Sequence, residues 1–470
     1  MRTRESRLDP ALAPAHDSHS MHPVRLTRPR RADLLAAAML LSAVWVAGCT
    51  ASSGTTARGA ATAAGVAGVV SGCLLPPATC YAPRAFRVAY GIQPLLDSGI
   101  DGRGETVTVL AAAPLASALV PGSGVSSGAG AAATDIRQDL AAFDRDFRLP
   151  AARVQVVNSL AGAASPWQAA DEEAQDVEIV HAVAPAAALR VVLLPSSVLD
   201  SAATATADML AGLRLAVSGT DVATICWSLG EHYFTKAQAA QMHAILLAAE
   251  AHHVTVVAGS GDNGGFSEDW FGGPPVEEVS LPASDPLVLA AGGTELTANP
   301  VTGAYMSETV WNGQAGFSQS GGASGGGFSR LFARPAYQDG VPGISTTRGV
   351  PDVAGDAYDS SGVSIVSVSG GGTGISAASG TSASASLWGG LMALADQYAH
   401  HDLGLVNPAI YRIARGSGYH QAFHDVTTGS NIQTLPYPAG TAGYQAGPGW
   451  DPATGWGTPD AQVLVPLLAA

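Results

Sequence analysis

Short apolar segments alternate with amphipathic segments along much of this chain, and this alternation constrains the fold more than any other feature of the sequence. The apolar segments suit buried strands, whereas the segments between them place apolar side chains three and four residues apart, as one face of a helix requires. Parallel strands that are buried on both faces need helical connections. We therefore predict an α/β fold, a doubly wound, mostly parallel sheet with helices on both faces. The predicted strands are residues 106–110, 189–194, 222–227, 254–258 and 287–291, and the predicted helices are residues 135–147, 206–217 and 236–251.

A basic N-terminal segment precedes an apolar run that ends at a cysteine. Four arginines between residues 25 and 31 come before residues 34–48, and Cys49 follows directly. Such a pattern is typical of an export signal, and the run is too short for a comfortable membrane span. Small residues that end on a cysteine resemble the lipobox of bacterial lipoproteins. We predict a signal peptide over residues 1–48, lipidation of Cys49, and an extracytoplasmic protein that is anchored to the cell surface or secreted; the alternative is an ordinary signal peptide with a chance cysteine.

The segment after Cys49 has the composition of a linker. Residues 49–81 contain a long stretch of alanine, glycine, serine, threonine and valine, which predicts a flexible tether, and residues 82–470 are expected to form one domain. Cys73 and Cys80 bracket a short loop with two prolines and could form a local disulfide in an exported protein. Cys226 lies in an apolar strand, which favours a buried free thiol.

The charge of the chain limits its partners. With 38 acidic and 23 basic residues, the net charge is −15, which argues against binding to nucleic acid. The acidity is consistent either with solubility alone or with adaptation to an acidic setting, and the composition leaves both open.

A serine follows glycine and threonine where an apolar helix is predicted to begin. The segment at 379–385 is Ser-Gly-Thr-Ser-Ala-Ser-Ala. At such a helix start the hydroxyl of Ser382 would be exposed, and its backbone N–H would be free to stabilise an oxyanion. Gly-Thr-Ser-Ala is similar to the nucleophile motif of the subtilisin-like clan. The alternative is a helix cap after a glycine-rich loop.

A serine nucleophile needs a base, and two carboxylates are the candidates. No histidine is followed by Gly-Thr, the context that subtilisins use, and His181 is the only nearby histidine. Glu172 and Asp176 are four residues apart and would share one face of a helix. Two carboxyls held together cannot easily both ionise, so one can act as a base that the other orients. A solvated helix face is the usual alternative, but the apolar stretch at 179–184 favours an active-site wall.

The segment that begins at Asp176, Asp-Val-Glu-Ile-Val-His-Ala-Val-Ala-Pro-Ala-Ala, resembles the Asp-Ile-Glu and Ala-Pro-x-Ala segment of the sedolisin (serine-carboxyl peptidase) family. The resemblance covers residues 82–470. It implies a subtilisin-like fold and an acid-acting serine endopeptidase that hydrolyses peptide bonds of proteins. Further family-like motifs lie at 227–230, 256–264, 281–284, 291–294, 324–329 and 348–353.

The resemblance also implies roles for individual residues. In sedolisins a glutamate four residues before the aspartate is the base, which implies Glu172 as base, Asp176 as its orienting partner and Ser382 as nucleophile. The family places an aspartic acid in the oxyanion hole, and Asp262 matches it. A protonated carboxyl can donate to an oxyanion as an amide does. A Gly-Asp-Asn-Gly turn without chemistry, with Asn263 as a rival donor, is the alternative.

The resemblance also indicates a substrate cleft and a metal site. Trp227 and Ser228 are expected to line the substrate cleft. The C-terminal segments resemble the sedolisin calcium site, which implies one bound Ca²⁺, an ion that favours oxygen ligands. Without the resemblance, two aspartates 26 residues apart would indicate nothing. The implied ligands are the carboxylates of Asp425 and Asp451 and the backbone carbonyls of Val426, Gly447 and Gly449.

Sedolisins commonly carry a long N-terminal prodomain. Only about 30 residues separate Cys49 from the peptidase-like region, so we expect this prodomain to be missing, with the enzyme either folding without one or using one that acts in trans. We also expect a monomer. A catalytically silent, surface-anchored binding protein on the same fold is the alternative function, but such a protein would be expected to lose at least one catalytic position, and all four are present.

Overall fold

The structure, a computed structural model, describes most of the chain beyond the predicted tether. The chain divides into two units, Met1–Ala64 and Gly65–Ala470, and every described residue lies in the second. The predicted signal peptide, Cys49 and nearly all of the tether lie outside the described residues. None of the helices described is both long and apolar enough to cross a membrane. The described residues are 80–112, 134–157, 168–169, 171–267, 271, 275–313, 322–369, 372–435 and 440–470.

Strands and helices alternate through the described residues. The strands are β1 (Thr106–Ala112), β2 (Thr134–Asp135), β3 (Arg153–Val157), β4 (Gln168–Ala169), β5 (Ala188–Leu194), β6 (Val222–Ile225), β7 (Leu229–Gly230), β8 (Thr255–Gly259), β9 (Ser280–Leu281), β10 (Leu289–Ala298), β11 (Tyr305–Val310), β12 (Gly327–Ala333), β13 (Thr347–Val350), β14 (Val353–Asp356), β15 (Ser364–Ser369), β16 (Gly372–Ala377), β17 (Phe423–His424), β18 (Gln433–Leu435), β19 (Gly440–Ala442) and β20 (Thr458–Pro459). The α-helices are α1 (Pro83–Ala89), α2 (Gln93–Asp97), α3 (Ile136–Phe147), α4 (Asp171–Val183), α5 (Ala202–Ala216), α6 (Lys236–Ala251), α7 (Gly380–Ala399), α8 (Asn407–Ala414), α9 (Tyr419–Ala422) and α10 (Ala461–Leu468).

The central sheet confirms the predicted architecture. Its strands run in the order β11-β10-β8-β6-β1-β5-β3, and β14 pairs with β10 as an eighth strand. Every pairing is parallel except that of β11 with β10. The chain winds outward from β1 in both directions, as in a doubly wound sheet, and such sheets place ligands at the carboxyl ends of their strands.

Apolar side chains pack on both faces of this sheet. Along β1, Val107 and Val109 belong to the layer formed with α4 and α7. Leu110 belongs to the opposite layer, formed with α5 and α6. Alternate residues of a strand point to opposite faces, so a strand covered on both sides must be apolar throughout. This requirement explains why the strands could be predicted as continuous apolar runs.

Helix α7 crosses the middle of the molecule and is buried from Gly380 to Asp396. Small side chains allow this close packing. A Cβ at Gly390 would lie 2.7 Å from Cβ of Val183 in α4, and one at Gly389 would lie 3.0 Å from Cβ of Thr224 in β6. Because larger side chains would push these elements apart, the glycines fix α7 close to α4 and β6. The first turn of α7 is thereby held next to the carboxyl end of the sheet.

The cysteines agree with the predictions as far as they are described. Cys226 is free and buried, as predicted. Cys80 is disulfide-bonded, and the other half of that disulfide lies outside the described residues.

A buried polar network joins α1 to the edge of the central sheet. The Glu308 carboxyl accepts hydrogen bonds from the hydroxyls of Tyr90 at 2.7 Å, Thr294 at 2.8 Å and Thr458. The Tyr90 hydroxyl in turn accepts from the backbone N–H of Asp356 at 2.9 Å. Burial raises the pKa of Glu308 to about 7 and that of Asp356 well above its usual range. Both carboxyls are therefore favoured in their protonated forms.

This network predicts that stability is lost as the pH rises from about 4.5 to about 7. A carboxyl whose folded-state pKa is raised stabilises the fold fully below its unfolded pKa of about 4.5, and this stabilisation is lost as pH rises through about 7. For Glu308 the loss is on the order of 3 kcal/mol by pH 8. We expect Glu308→Gln to flatten the pH dependence of urea unfolding by that amount, whereas the exposed Glu250→Gln should not. Parallel pH profiles for the parent and Glu308→Gln would refute the assignment.

Candidate active site

The first turn of α7 places Ser382 at the carboxyl ends of the central strands. Ser382 is buried, at 8% exposure, whereas the sequence pattern predicts an exposed hydroxyl at this helix start. Gly380 precedes it with a φ of +83°, a conformation that favours glycine. A Cβ at this position would lie 2.9 Å from Oδ2 of Asp262 and 3.2 Å from Oγ of Ser382. The side chains of the predicted nucleophile, Ser382, and of the predicted oxyanion residue, Asp262, thus both lie next to Gly380.

Gln175 of α4 connects the predicted carboxylates to the start of α7. Its Oε1 accepts the backbone N–H of Ser379 at 2.9 Å, and its Nε2 donates to the Ser379 carbonyl at 2.9 Å. The same Nε2 lies 3.3 Å from Oγ of Ser382 and 3.5 Å from Oδ1 of Asp176. One amide therefore fixes the backbone before the serine and touches both groups that the sequence predicts to work together.

Asp176 is fully buried behind this amide. It lies beside Cys226, which directly follows β6. Burial raises the pKa of the Cys226 thiol, and the charge of Asp176 and a hydrogen bond to it raise that pKa further. The thiol also lies 3.9 Å from the carbonyl oxygen of Ser382. Asp176 thus shares one buried polar pocket with the start of α7.

Glu172 lies in the first turn of α4, one helical turn before Asp176. Its backbone position agrees with the predicted spacing on one helix face. The Glu172 side chain lies outside the described residues, so its predicted role as base stays a prediction.

Asp262 follows β8 at the carboxyl end of the sheet and faces the first turn of α7. Its Oδ1 accepts the backbone N–H and the hydroxyl of Thr381, each at 2.8 Å. Desolvation raises the pKa of Asp262, and the two hydrogen bonds from Thr381 oppose that rise. The loop is held in place by Gly325, which donates to the Gly261 carbonyl at 2.6 Å. This environment favours a protonated carboxyl that can donate a hydrogen bond.

The remaining candidates near the site are placed as follows. Trp227 is buried at 7% exposure just beyond β6, and Ser228 after it is half-buried. Asn263, the rival donor, forms a bridge with Ala323. His181, the alternative base, bonds through Nε2 to the Pro150 carbonyl at 2.9 Å and lies 2.9 Å from the Asp144 carboxylate. The only described partners of that imidazole are therefore in the α3 region and do not include Ser382.

The predicted calcium ligands lie together in two C-terminal loops. Asp425 accepts the backbone N–H of Gly449 at 3.2 and 3.1 Å through its two oxygens, and Oδ2 of Asp451 accepts that of Gly447 at 3.1 Å. Tyr419 lies near both carboxylates. Burial raises the pKa of its hydroxyl, and the negative charges of the two carboxylates raise that pKa further. Asp425 therefore lies close to Gly447, Gly449 and Asp451, although 22 to 26 residues separate them in sequence. This group is called the C-terminal acidic cradle below.

The chemistry of this cradle fits a hard cation. Burial raises the pKa of Asp451 to about 6, although three backbone N–H groups oppose the rise. No ion pair within the described residues involves Asp425 or Asp451. Val426 is buried directly after Asp425 and fixes the loop from inside. Two carboxylates without a protein cation, on glycine-containing loops, are the kind of oxygen site that Ca²⁺ prefers.

Two residues of the site were missed by sequence reasoning. Gln175 stands between Glu172 and Asp176, and a polar amide within a helix that also carries two candidate carboxylates was the available signal. Thr381 lies inside the nucleophile motif, where the serine alone drew attention. Both act through hydrogen bonds to backbone or carboxylate groups more than 100 residues away in sequence, and such pairings have no sequence pattern.

Comparisons with known proteins agree with the motifs. No family model matches the chain. Kumamolisin of Bacillus sp. (strain MN-32) is 36% identical over 295 residues, which cover 60% of this chain and 48% of that protein. Tripeptidyl-peptidase 1 of Macaca fascicularis is 30% identical over 264 residues, which cover 53% of this chain and 43% of that protein. The chain thus spans less than half the length of these curated relatives.

A solved structure is similar over nearly its whole length. The structure of Pseudomonas sedolisin, a serine-carboxyl proteinase complexed with two molecules of pseudo-iodotyrostatin, matches with a TM-score of 0.64 and 25% identity. The match covers 83% of this chain and 98% of that chain. The subtilisin-like fold predicted from the motifs is therefore confirmed.

Proposed function

We propose that the chain is a member of the sedolisin family of serine-carboxyl peptidases, an acid-acting endopeptidase that hydrolyses peptide bonds of proteins. The observation that supports this most is the convergence at the start of α7. Ser382 lies there with Asp262 over Gly380, and Gln175 joins it to Asp176. A nucleophile, a buried carboxylate and an oxyanion donor are the parts that acyl transfer requires.

In the proposed first step, Oγ of Ser382 attacks the carbonyl carbon of the peptide bond and its proton passes to the Glu172 carboxylate. Asp176 orients Glu172 by sharing a proton with it, as paired carboxyls do. The proton on Glu172 then goes to the leaving amine as the C–N bond breaks, which leaves an acyl group on Ser382. In the second half-reaction Glu172 takes a proton from water, and the water oxygen attacks the acyl carbon. The bond from that carbon to Oγ then breaks, Glu172 returns the proton to Oγ of Ser382, and the new carboxylic acid leaves.

The oxyanion formed in each half-reaction needs hydrogen-bond donors. The proposed donors are the protonated Asp262 carboxyl and backbone N–H groups at the start of α7. Desolvation favours the protonated form of Asp262. Thr381 fixes Oδ1, so Oδ2, which lies beside Gly380 and close to the serine, is the oxygen expected to carry the donated proton.

The proposed substrates are peptides and unfolded proteins that bind along a cleft lined by Trp227 and Ser228. One relative is named for the removal of tripeptides, so internal cleavage has to be distinguished from cleavage near the N-terminus. The test is digestion of a reduced, unfolded protein at acid pH, with all new termini mapped by mass spectrometry. Internal fragments of varied length are expected. A ladder of successive tripeptides would instead indicate a tripeptidyl-peptidase, and no cleavage at any pH would favour the catalytically silent binding protein.

Calcium is the proposed structural cofactor. The ligands would be Asp425, Asp451 and the backbone carbonyls of Val426, Gly447 and Gly449, and bound Ca²⁺ would neutralise the two carboxylates and hold the two loops together. A ligand that binds only the folded state at 100 times its Kd stabilises that state by about 2.7 kcal/mol. We therefore expect a chelator to lower the melting temperature by several degrees at pH 7. The shift should shrink below about pH 6, where Asp451 binds a proton instead.

The control for this prediction is Asp451→Asn, which should melt at a lower temperature than the parent and should no longer respond to the chelator. A parent protein that contains no metal by elemental analysis and does not respond to the chelator would refute the calcium site.

We infer a lipid anchor at Cys49, which would place the enzyme outside the cytoplasm as a monomer attached to the membrane surface. Two acyl chains on a mature N-terminal cysteine give stable attachment, since one chain alone binds only marginally. Mass spectrometry of the mature N-terminus from the native host is expected to show an acylated Cys49. Cys49→Ser should abolish the modification and release the protein from membranes. An unmodified N-terminus well downstream of residue 49 would contradict the inference.

A further inference from the structure

Three carboxylates lie close together at the amino ends of two central strands, β1 and β6, opposite the end of the sheet that carries Ser382. Glu105 immediately precedes β1, Asp221 immediately precedes the neighbouring strand β6, and Asp402 lies in the turn after α7. One oxygen from each lies within 4.8 Å of one from each of the others. All three side chains are partly exposed, so an ion from solvent can reach them. This group, Glu105, Asp221 and Asp402, is called the strand-edge cluster below.

A fourth carboxylate behind the cluster has an oxygen without a partner. Asp396 of α7 is fully buried, and its Oδ1 accepts the backbone N–H of Leu403 at 2.9 Å. Its Oδ2 is buried and has no hydrogen-bond partner within the described part of the chain. The charges that act on Asp396 are those of Glu105, Asp402 and Asp221, which places its carboxylate at the inner end of the cluster. A buried carboxylate oxygen left unpaired costs free energy unless something else pairs with it.

No side-chain cation among the described residues is paired with these carboxylates. The ion pairs within the described residues include none of the four carboxylates, and Arg103, two residues before Glu105, is 75% exposed and bonded to Asp101. Asp221 also accepts a hydrogen bond from an uncharged group, because the backbone N–H of Thr106 donates to its Oδ2 at 2.7 Å. The arrangement therefore concentrates negative charge that only a bound cation or retained protons can offset.

The strand-edge cluster is also held rigidly. Asp221 is fixed to β1 by the Thr106 bond, and the Thr255 hydroxyl of β8 donates to the Gly404 carbonyl at 2.7 Å, which ties the turn of Asp402 to the sheet. Asp396 is anchored within the buried helix. Ligands on the ends of packed strands and helices keep their spacing, as a preformed ion site requires.

We propose that the strand-edge cluster binds a hard divalent cation of the size of Ca²⁺, with Asp396 as a buried fourth carboxylate that holds the ion from inside. Oxygen ligands at 2.3–2.6 Å from a calcium ion lie up to about 5 Å apart, which suits the observed spacing. This site is separate from the C-terminal acidic cradle, because it lies at the amino ends of β1 and β6. It is also remote from Ser382, since Asp396 is 14 residues further along α7, about 21 Å at the rise of an α-helix.

The same packing makes protons the competitor of the cation. Burial, followed by the charges of Asp221 and Asp402, raises the pKa of Glu105 to about 7. Burial is likewise the main cause that raises the pKa of Asp396 to about 8. An ion bound at neutral pH would displace these protons, and it would stabilise the end of α7 against the strands.

The test is calcium binding by the full chain carrying Ser382→Ala, so that self-digestion cannot interfere. Metal-free protein at pH 7.5 is dialysed to equilibrium against ⁴⁵Ca²⁺ up to several times the Kd of about 10⁻⁴ to 10⁻³ M typical of extracellular calcium modules. We expect one ion at the strand-edge cluster, in addition to any ion at the C-terminal cradle. Adding Asp402→Asn should remove one ion per chain, and adding Asp451→Asn should leave the strand-edge ion in place.

Two further variants keep the result decisive. Asp396→Asn preserves the shape of the buried side chain and should weaken the same site by about tenfold or more. Asp101→Asn removes a nearby surface charge that is not a ligand and should change nothing. Circular dichroism checks that each variant is folded. The proposal is overturned if folded Asp402→Asn and Asp396→Asn bind as much calcium as the parent, or if the Asp451→Asn protein binds none.

Discussion

Peptide hydrolysis should fall by at least about 10⁴-fold when Ser382 is replaced by alanine, because loss of a serine nucleophile removes the whole covalent pathway. We expect the Ser382→Ala protein to fold as the parent does. Ser382 is in the first turn of α7, and the fixing bonds at that point run from Gln175 to the backbone of Ser379 and from Thr381 to Asp262. These bonds remain in the variant. The measurement is initial hydrolysis of a fluorogenic peptide at the optimum pH of the parent.

A matched control is available three residues earlier. The Ser379 side chain makes no capping hydrogen bond, so Ser379→Ala removes a hydroxyl at the same helix start without touching the proposed chemistry. It should keep most of the activity. Full activity in Ser382→Ala, with an unchanged melting temperature for both variants, would contradict the assignment of the nucleophile.

The second large effect is expected at the base. Glu172→Gln keeps the shape of the side chain but cannot accept the proton of Ser382, and loss of general-base catalysis typically costs about 10²–10⁴-fold in rate. The neighbouring Glu173→Gln removes the same charge from the same helical turn. Because a residue one position further on points about 100° away around the helix, Glu173→Gln should retain activity.

The outcome that would overturn this assignment is also sharp. If Glu173→Gln abolished hydrolysis and Glu172→Gln did not, the pairing of Glu172 with Asp176 would be wrong. If neither had an effect, both Glu172 and Glu173 would be excluded as the base.

The sequence predicted elements with a continuous or regularly repeating apolar pattern better than the others. Helix α6 was predicted at its observed bounds, because the capping box of Thr235 and Gln238 marks its start and its apolar positions repeat regularly. Strand β10 was predicted only over residues 289–291, whereas the strand extends further as the partner of the antiparallel strand β11 from Thr294 onward, where its burial becomes alternating. Strand β3, at the sheet edge, is half-exposed and has no apolar run to reveal it.

The candidate site divides in the same way. Ser382, Asp176 and Asp262 could be proposed because they lie in motifs that resemble a known family, and the structure brings the three together. Gln175 could not be proposed, because its role depends on the distance between α4 and α7, which the glycine contacts of α7 determine. The strand-edge cluster and the buried Asp396 behind it combine residues 105, 221, 396 and 402 from three separate segments, and only the parallel register of β1 and β6 places two of them side by side.

The pH dependence of hydrolysis distinguishes a carboxylate base from a histidine base. A glutamate base has a reference pKa of about 4.3, whereas a histidine base, at about 6.5, would already be protonated in acid. Asp262 can donate to the oxyanion only while it is protonated, so activity should fall as pH rises through its raised pKa. We predict an acid optimum for the parent, and for Asp262→Asn a lower maximal rate with the alkaline limb shifted to higher pH, because the amide donates at every pH. An optimum of the parent near neutrality or above would contradict the account and favour a histidine base.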